Sequence, residues 1–375
     1  MSRSFDPSFG HNQGNPHVAR RLNIGPHAIG DETPCYVIAE IGHNHQGSLD
    51  KARELFHEAK LAGAHAVKLQ KRDNKGLYTR AAYNKSYDNE NSFGATYGEH
   101  RECLEFGLSE YLALQKYAKE LDIDFFATAF DMSSADFLQA LDAPAFKIAS
   151  GDLKSVPLLR HVASFGKPVI VSTGGAEIDD VQRAYDTVMP INPQLAILQC
   201  TAGYPAAFEE LDLGVISTYR ERFPDAVIGF SSHDNGIAMP VAAYVLGARI
   251  VEKHFTLNRA MKGTDHAFSL EPVGLRKMVR DLERTHKAMG DGAKKVHESE
   301  RAPIIKMGKS LVVAHNLPKG HTLGRDDIVM KSPGGGIPPF KLEQVIGRVT
   351  LTPLYEDDFL SFEVLSKPDP ELARR

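Results

Sequence analysis

Val227-Ile228-Gly229-Phe230-Ser231-Ser232-His233, and after an apolar Ala-rich segment Ile250-Val251-Glu252-Lys253-His254-Phe255-Thr256, decide how this chain folds. Each run is β-branched and aromatic, as a strand buried on both faces should be, and the segment between them has the length and small-residue content of a helix. The unit is therefore strand, helix, strand, with one imidazole at the carboxyl end of each strand. In a parallel α/β fold those ends share one face, so His233 and His254 converge there and are candidates for a common metal.

Outward from this unit the same rhythm covers most of the chain. Short apolar runs stand at 36–39, 66–69, 124–127, 145–148, 169–171, 195–198, 227–230 and 249–251, and helical patterns stand at 49–61, 110–120, 133–141, 155–164, 178–188, 214–222, 237–246 and 272–289. Eight strands each followed by a helix is the count of a (β/α)₈ barrel. The runs end in polar or small residues, among them Glu40, Gln70, Thr128, Ser150, Thr201, His233 and His254. Barrel enzymes carry their chemistry on that edge. A doubly wound open sheet is the alternative, but no Gly-rich dinucleotide fingerprint follows the first strand.

Residues 22–34 read as a small hairpin ahead of the barrel, and residues 1–21 as a polar, disordered tail without the features of a signal peptide. The polar insertion 74–99 carries Tyr78, Tyr83 and Tyr87 and has the length of a lid or a mobile surface loop. Gly290-Asp291-Gly292 closes the barrel, giving it residues 22–290, and a charged linker occupies 291–307. Short runs at 311–314, 328–330, 345–349 and 359–362, parted by Pro- and Gly-rich turns, predict a small, mostly β domain over 308–367.

Composition narrows the function classes. The chain has 375 residues, a formal charge of −4 and scattered Lys and Arg, which offers no electrostatic footprint for nucleic acid. No apolar run approaches the roughly 20 residues of a membrane span. Cys35, Cys103 and Cys200 lie far apart, which fits neither a disulfide framework nor a zinc ribbon and points to a reducing cytoplasm.

The candidate chemistry centres on six side chains. Two imidazoles with the remaining positions left to water or substrate suit an open octahedral cation, Mn²⁺ first, with Mg²⁺, Co²⁺ or Fe²⁺ as alternatives; hydrogen bonding within the barrel mouth is the plainer role. Glu40 ends the first strand, where a carboxylate serves as general base, orients a metal-bound water or acts as a ligand, or else forms a structural ion pair. Asp265, in Lys262-Gly263-Thr264-Asp265-His266, has the same choices. Lys68 and Lys147 sit among apolar neighbours, where a charge must be paired. Together with hydroxyls from Thr128, Ser150 and Ser231 they suit an anionic substrate; a Schiff-base lysine and neutralisation by barrel carboxylates are the other readings.

Taken together, Ile38-Ala39-Glu40-Ile41-Gly42, Asn44-His45-Gln46-Gly47, Lys68-Leu69-Gln70, Lys147-Ile148-Ala149-Ser150-Gly151-Asp152, Gln199-Cys200-Thr201-Ala202-Gly203-Tyr204-Pro205, Ser231-Ser232-His233, Glu252-Lys253-His254-Phe255-Thr256 and Gly263-Thr264-Asp265-His266 resemble the sialic acid synthase (N-acylneuraminate synthase) family. The resemblance runs from about residue 22 to 365 and includes a C-terminal antifreeze-like (SAF) domain. It implies condensation of phosphoenolpyruvate with an open-chain N-acylmannosamine, with loss of phosphate. By that resemblance Lys68, Thr128, Lys147, Ser150 and Ser231 hold phosphoenolpyruvate, and His233 and His254 hold the metal that polarises the aldehyde. Glu40 places or deprotonates the attacking water, and Gln70, Asp152, Tyr204 and Asp265 contact the sugar. It also implies a domain-swapped homodimer, the small domain of one subunit closing the barrel of its partner.

Residues 96–100 and 262–272 are closer in wording to animal-type synthases than to capsule-forming bacterial ones. Ala202 stands where many bacterial members have Asn, Asp152 where they have Glu, and Ser332 where they have an Arg that reaches the N-acetyl group. These departures leave the reaction type and unsettle the sugar, so an acceptor other than plain N-acetylmannosamine is expected, such as its 6-phosphate or a non-acetylated hexose. A pyruvate aldolase on the same barrel and a non-catalytic sugar- or ice-binding protein are the competing functions.

Overall fold

The computed structural model describes residues 20–367. Most of the expected tail, residues 1–19, lies outside them, and its last position already belongs to the fold. Arg21 opens β1 (Arg21–Ile24), which turns at Gly25 and pairs antiparallel with β2 (His27–Gly30).

Eight parallel strands then close on themselves: β3 (Tyr36–Gly42), β4 (Ala66–Lys71), β5 (Asp124–Ala129), β6 (Phe146–Ile148), β7 (Val169–Ser172), β8 (Leu195–Cys200), β9 (Val227–Ser232) and β10 (Ile250–His254), with β10 returning to pair with β3. Helices follow the strands as the periodicity predicts, among them Leu49–Leu61, Ile178–Val188 and Pro272–Met289. Local chemistry starts them: Ser48 and Asp131 accept hydrogen bonds from the backbone N–H groups of Lys51 and Ser134, satisfying donors that the first helical turn leaves free. The fold is the (β/α)₈ barrel expected from the strand count.

Side chains alternate across each strand with period two. Val37, Ala39, Val67, Leu69, Ile197 and Val251 point outward into the core shared with the helices. Tyr36, Ile38, Ala66, Phe126, Ile170, Leu198, Val227 and Ile250 point inward at the amino end of the barrel, where Leu22, Ile24 and Ile29 of the hairpin join them. The hairpin thus plugs that end with buried apolar surface. Gly229 is needed in this layer because a Cβ there would press on the Leu198 side chain and come within 2.7 Å of the Ile250 carbonyl.

The insertion after β4 is built from three short helices, Asn74–Leu77, Arg80–Tyr83 and Tyr97–Leu104. Thr96 and Glu99 cap the third reciprocally, and Tyr78 and Tyr87 pack edge-on against Tyr97. What read as an open polar loop is organised by these contacts.

The described residues divide into two compact units between Gly290 and Asp291. In the second, part of the expected linker is the helix Glu298–Met307, with Glu298 and Glu300 in its first turn. The strands β11 (Ser310–Val313) and β12 (Ile328–Lys331) pair antiparallel over a small core that includes Leu311, Leu323, Val345 and Leu360. The other two expected strands make only isolated bridges, Thr322 with Val349 and Val312 with Phe359. Gly347 has positive φ and breaks the extended backbone inside the first of these, and Asp357, also at positive φ, turns the chain just before the second.

Candidate active site

At the carboxyl end of the barrel the inward positions change from apolar to charged. A cavity of about 650 Å³ opens there. Glu40, Lys68, Gln70, Thr128, Lys147, Ser150, Tyr204, Ser231, His233, His254 and Asp265 all line it, so the structure brings together every expected site residue except Asp152. Asp152 lies beside it in the one-turn helix Ser150–Asp152 that follows β6.

Its deepest layer is an ion network. Lys68 Nζ lies 2.5 Å from Glu40 Oε2 and 3.7 Å from Glu252 Oε2, and it donates to Thr128 Oγ1 at 2.7 Å. The Lys68 and Glu40 side chains are each only 2% exposed, so this charge pair is held almost without water. Burial pushes the Glu40 carboxyl up from its ordinary range, with Lys68 opposing and Glu252 adding to the rise. Burial likewise draws the Lys147 ammonium down, partly offset by Glu252. Ser231 donates to Glu252 Oε1 at 3.1 Å, and Ser150 Oγ accepts from the Gly174 backbone N–H at 2.9 Å.

Gln70 carries the network outward. Its amide donates to Glu40 Oε1 at 2.7 Å and its carbonyl accepts from Arg72 at 2.7 Å. Gly42 makes room for this pair at a break in the β3–β4 register. Its φ is +53°, and a Cβ there would stand 3.1 Å from Gln70 Nε2 and 3.2 Å from Glu40 Oε1.

The two histidines face each other across the β9 and β10 ends with ring centroids 5.3 Å apart. His233 donates from Nδ1 to the Thr201 carbonyl at 2.7 Å, which leaves Nε2 with its lone pair. His254 Nδ1 is buried without a hydrogen-bond partner, and Asp265 Oδ2 is 3.8 Å from it. Two unspent imidazole nitrogens fit a cation that takes its other ligands from water or substrate. Among the described residues no group of three or more His, Cys, Asp or Glu side chains forms a closed metal site. Phe268, buried against both rings, and Tyr204, whose ring centroid is 4.3 Å from that of His233, wall off this corner.

Glu252, Arg72 and Arg101 are among the cavity residues that the sequence reading does not single out. Glu252 lies two positions before His254 on one strand and so shares its inward face, a signal present in the alternation. Arg72 extends the inward series Lys68, Gln70 by the same step. Arg101 comes from the insertion helix Tyr97–Leu104, and no strand pattern announces it.

Residues 55–294 match the NeuB family and residues 308–365 match the SAF domain. The chain is 40% identical to the N-acetylneuraminate-9-phosphate synthase of Homo sapiens, over 90% of this chain and 94% of that protein. It is 33% identical to the N,N'-diacetyllegionaminic acid synthase of Legionella pneumophila, over 88% and 93%. Among solved structures, the N-acetylneuraminic acid (sialic acid) synthetase of Leptospira borgpetersenii serovar Hardjo-bovis, in complex with citrate, aligns with a TM-score of 0.68 at 31% identity, covering 77% of this chain and 97% of that one.

Proposed function

Because this chain belongs to the NeuB family, we propose that it condenses phosphoenolpyruvate with an open-chain N-acylmannosamine or a related aldose, releasing phosphate and a nonulosonic acid. The observation that carries this reading is the juxtaposition of two buried lysines with Glu40 and two imidazoles in one cavity.

Lys68 and Lys147 supply fixed positive charge at the base of the site, and Thr128, Ser150 and Ser231 surround them with hydroxyl groups. That set binds phosphoenolpyruvate through charge-assisted hydrogen bonds. Glu40, held by Lys68 and Gln70, receives the proton of the water that adds to C2 of the enolpyruvyl group once its C3 has bonded to the aldehyde carbon. Its raised pKa suits a base whose conjugate acid must survive near neutrality. The C2–O bond then breaks: inorganic phosphate leaves with the proton of the C2 hydroxyl, C2 becomes the ketone, and the proton taken by Glu40 passes to the alkoxide left on the former aldehyde carbon. Gln70, Asp152, Tyr204 and Asp265 orient the sugar hydroxyls. His233 and His254 hold a divalent cation, Mn²⁺ in the first place with Mg²⁺ or Co²⁺ as substitutes. When bound, that cation supplies Lewis-acid polarisation of the acceptor aldehyde.

The proposal extends to a domain-swapped homodimer, in which the SAF domain of one subunit covers the barrel of its partner, and to a cytoplasmic site of action. The family resemblance supports the first and the free thiols of Cys35, Cys103 and Cys200 the second. Among the described residues no helix is long and apolar enough to cross a membrane.

The drop in the Lys147 pKa favours one rival, a Schiff-base aldolase acting on pyruvate. An acceptor screen with phosphoenolpyruvate and Mn²⁺ separates them, reading phosphate release and product mass. Equal amounts of phosphate and a nine-carbon acid are expected, and His233→Ala is expected to abolish both. Turnover of pyruvate without phosphate, with borohydride trapping of a lysine, overturns the synthase assignment. Full phosphoenolpyruvate-dependent activity in His233→Ala overturns the metal assignment.

A further inference from the structure

The cations lining the cavity are not compensated alike. Lys68 has Glu40 at 2.5 Å and Glu252 at 3.7 Å. Further out, Arg72 and Arg101 face the same cavity, and among the described residues neither has a carboxylate within 4.0 Å of its guanidinium.

Their partners are neutral. Arg72 donates to the Gln70 amide oxygen at 2.7 Å and lies over the Phe130 ring, 3.6 Å from its centroid, yet the residue is only 6% exposed. Arg101 donates to the Tyr97 hydroxyl from Nε at 3.0 Å and from Nη2 at 2.8 Å. Glu105, which is paired with Lys71 at 2.7 Å and accepts from the Arg72 backbone N–H, and Asp152 act on the Arg72 guanidinium only at longer range, as Asp265 does on Arg101. A buried guanidinium without a counter-ion is costly, and one retained beside a substrate cavity suits an anion that arrives from outside.

His43 supplies a second, independent sign. Its Nε2 stands 3.2 Å from Arg72 Nη1 and its Nδ1 stands 3.1 Å from Arg101 Nη1. Both guanidinium nitrogens are donors, whereas a neutral imidazole has one N–H and one lone pair. Only one of these contacts is a hydrogen bond; the other sets donor against donor. An anion accepting from both arginines removes the conflict by drawing one N–H away from the ring.

Depth tells which part of the substrates meets this pair. Lys68 and Gln70 alternate on one face of β4 and Arg72 follows just past its end, so the Arg72 guanidinium, bonded to Gln70, is separated from Lys68 by the Gln70–Glu40 pair. We propose that Arg72 and Arg101 form a second anion subsite, which takes a phosphate monoester or carboxylate at the end of the acceptor remote from its aldehyde. This rests on the synthase reading and sharpens it: the acceptor is an acidic sugar derivative.

Steady-state kinetics on the full-length enzyme test it, with phosphoenolpyruvate and Mn²⁺ held constant. The acceptors are N-acetylmannosamine, its 6-phosphate and its 6-carboxylate. The wild type is expected to use one of the two acidic sugars with a kcat/KM about 10- to 100-fold above that for the neutral sugar, the gain of one or two charge-assisted hydrogen bonds. The phosphate and carboxylate arms identify the anion. Arg101→Met and Arg72→Met are expected to erase most of that preference through the acceptor KM, with the KM for phosphoenolpyruvate moving less, and Arg101→Lys to restore part of it. Equal or better turnover of the neutral sugar by the wild type overturns the subsite and leaves the synthase reading standing. So does a loss in both Met variants that falls on the KM for phosphoenolpyruvate. Absence of phosphate release with every acceptor overturns both. The wild-type comparison needs no variant to fold.

Discussion

The two ends of the barrel are made from the same eight strands and the same inward-facing positions, yet they have opposite chemistry. At the amino end Tyr36, Ile38, Phe126, Ile170 and Ile250 close over the hairpin residues Leu22, Ile24 and Ile29. One or two inward positions later on the same strands stand Glu40, Thr128, Ser172 and Glu252. The apolar end gains stability by excluding water, while the charged end spends part of it to keep buried ions in place. The difference teaches that stability and chemistry are separable here by position along a strand. Substitutions at the two ends should therefore fail in different ways.

The largest effect belongs to the charged end. Lys68→Met removes the cation that holds Glu40 and, in the proposed reaction, faces phosphoenolpyruvate, and kcat/KM is expected to fall about 10²- to 10³-fold. Glu40 then has burial and Glu252 raising its pKa without Lys68 to oppose them, so it takes up a proton and the fold, followed by circular dichroism, persists. Loss of the folded state in place of activity would erase the contrast between the two ends.

Next comes the plug. Ile24→Ala at the apolar end is expected to cost about 2–5 kcal/mol by chemical denaturation, with kcat/KM changed by less than about twofold below the unfolding transition. If the rate falls in step with stability, the floor of the barrel is also part of the catalytic machinery.

The smallest effect is a pH limb. Burial pushes the Asp152 carboxyl up to about 6. Its folded pKa stands above the ordinary value, so the stability it contributes is present below about 3.8 and is lost as pH rises through about 6. The ionised form costs stability and is the form that, in the proposed reaction, accepts a hydrogen bond from a sugar hydroxyl. The acceptor kcat/KM is expected to fall as pH drops through about 6, by about tenfold per unit at the steepest, and Asp152→Asn should flatten that limb. A limb that persists in the Asn variant assigns it to another carboxyl.

Legibility from sequence follows the same division. Strand and helix positions were readable because alternation and helical periodicity report burial directly, and residues at strand ends such as Glu40, His233 and His254 inherit their place from the barrel. Glu252 carries the same signal, two positions before His254 on one strand. Arg101 is not legible from strand alternation, since it reaches the cavity from a helix inside a polar insertion, and its long-range partner there is His43 from the end of the first barrel strand. In the small unit, a single residue with positive φ, Gly347, outweighs the local β pattern at 345–349, and 359–362 keeps only an isolated bridge through Phe359.

The hairpin plug has one more consequence. With its floor sealed by the hairpin, the cavity opens at the carboxyl end of the barrel, so in the proposed reaction whatever binds beside Lys68 and Lys147 is expected to arrive before the acceptor and to depart after the product lying above it. Traffic through the proposed site is then expected to run last in, first out, with the sugar acid leaving and phosphate following.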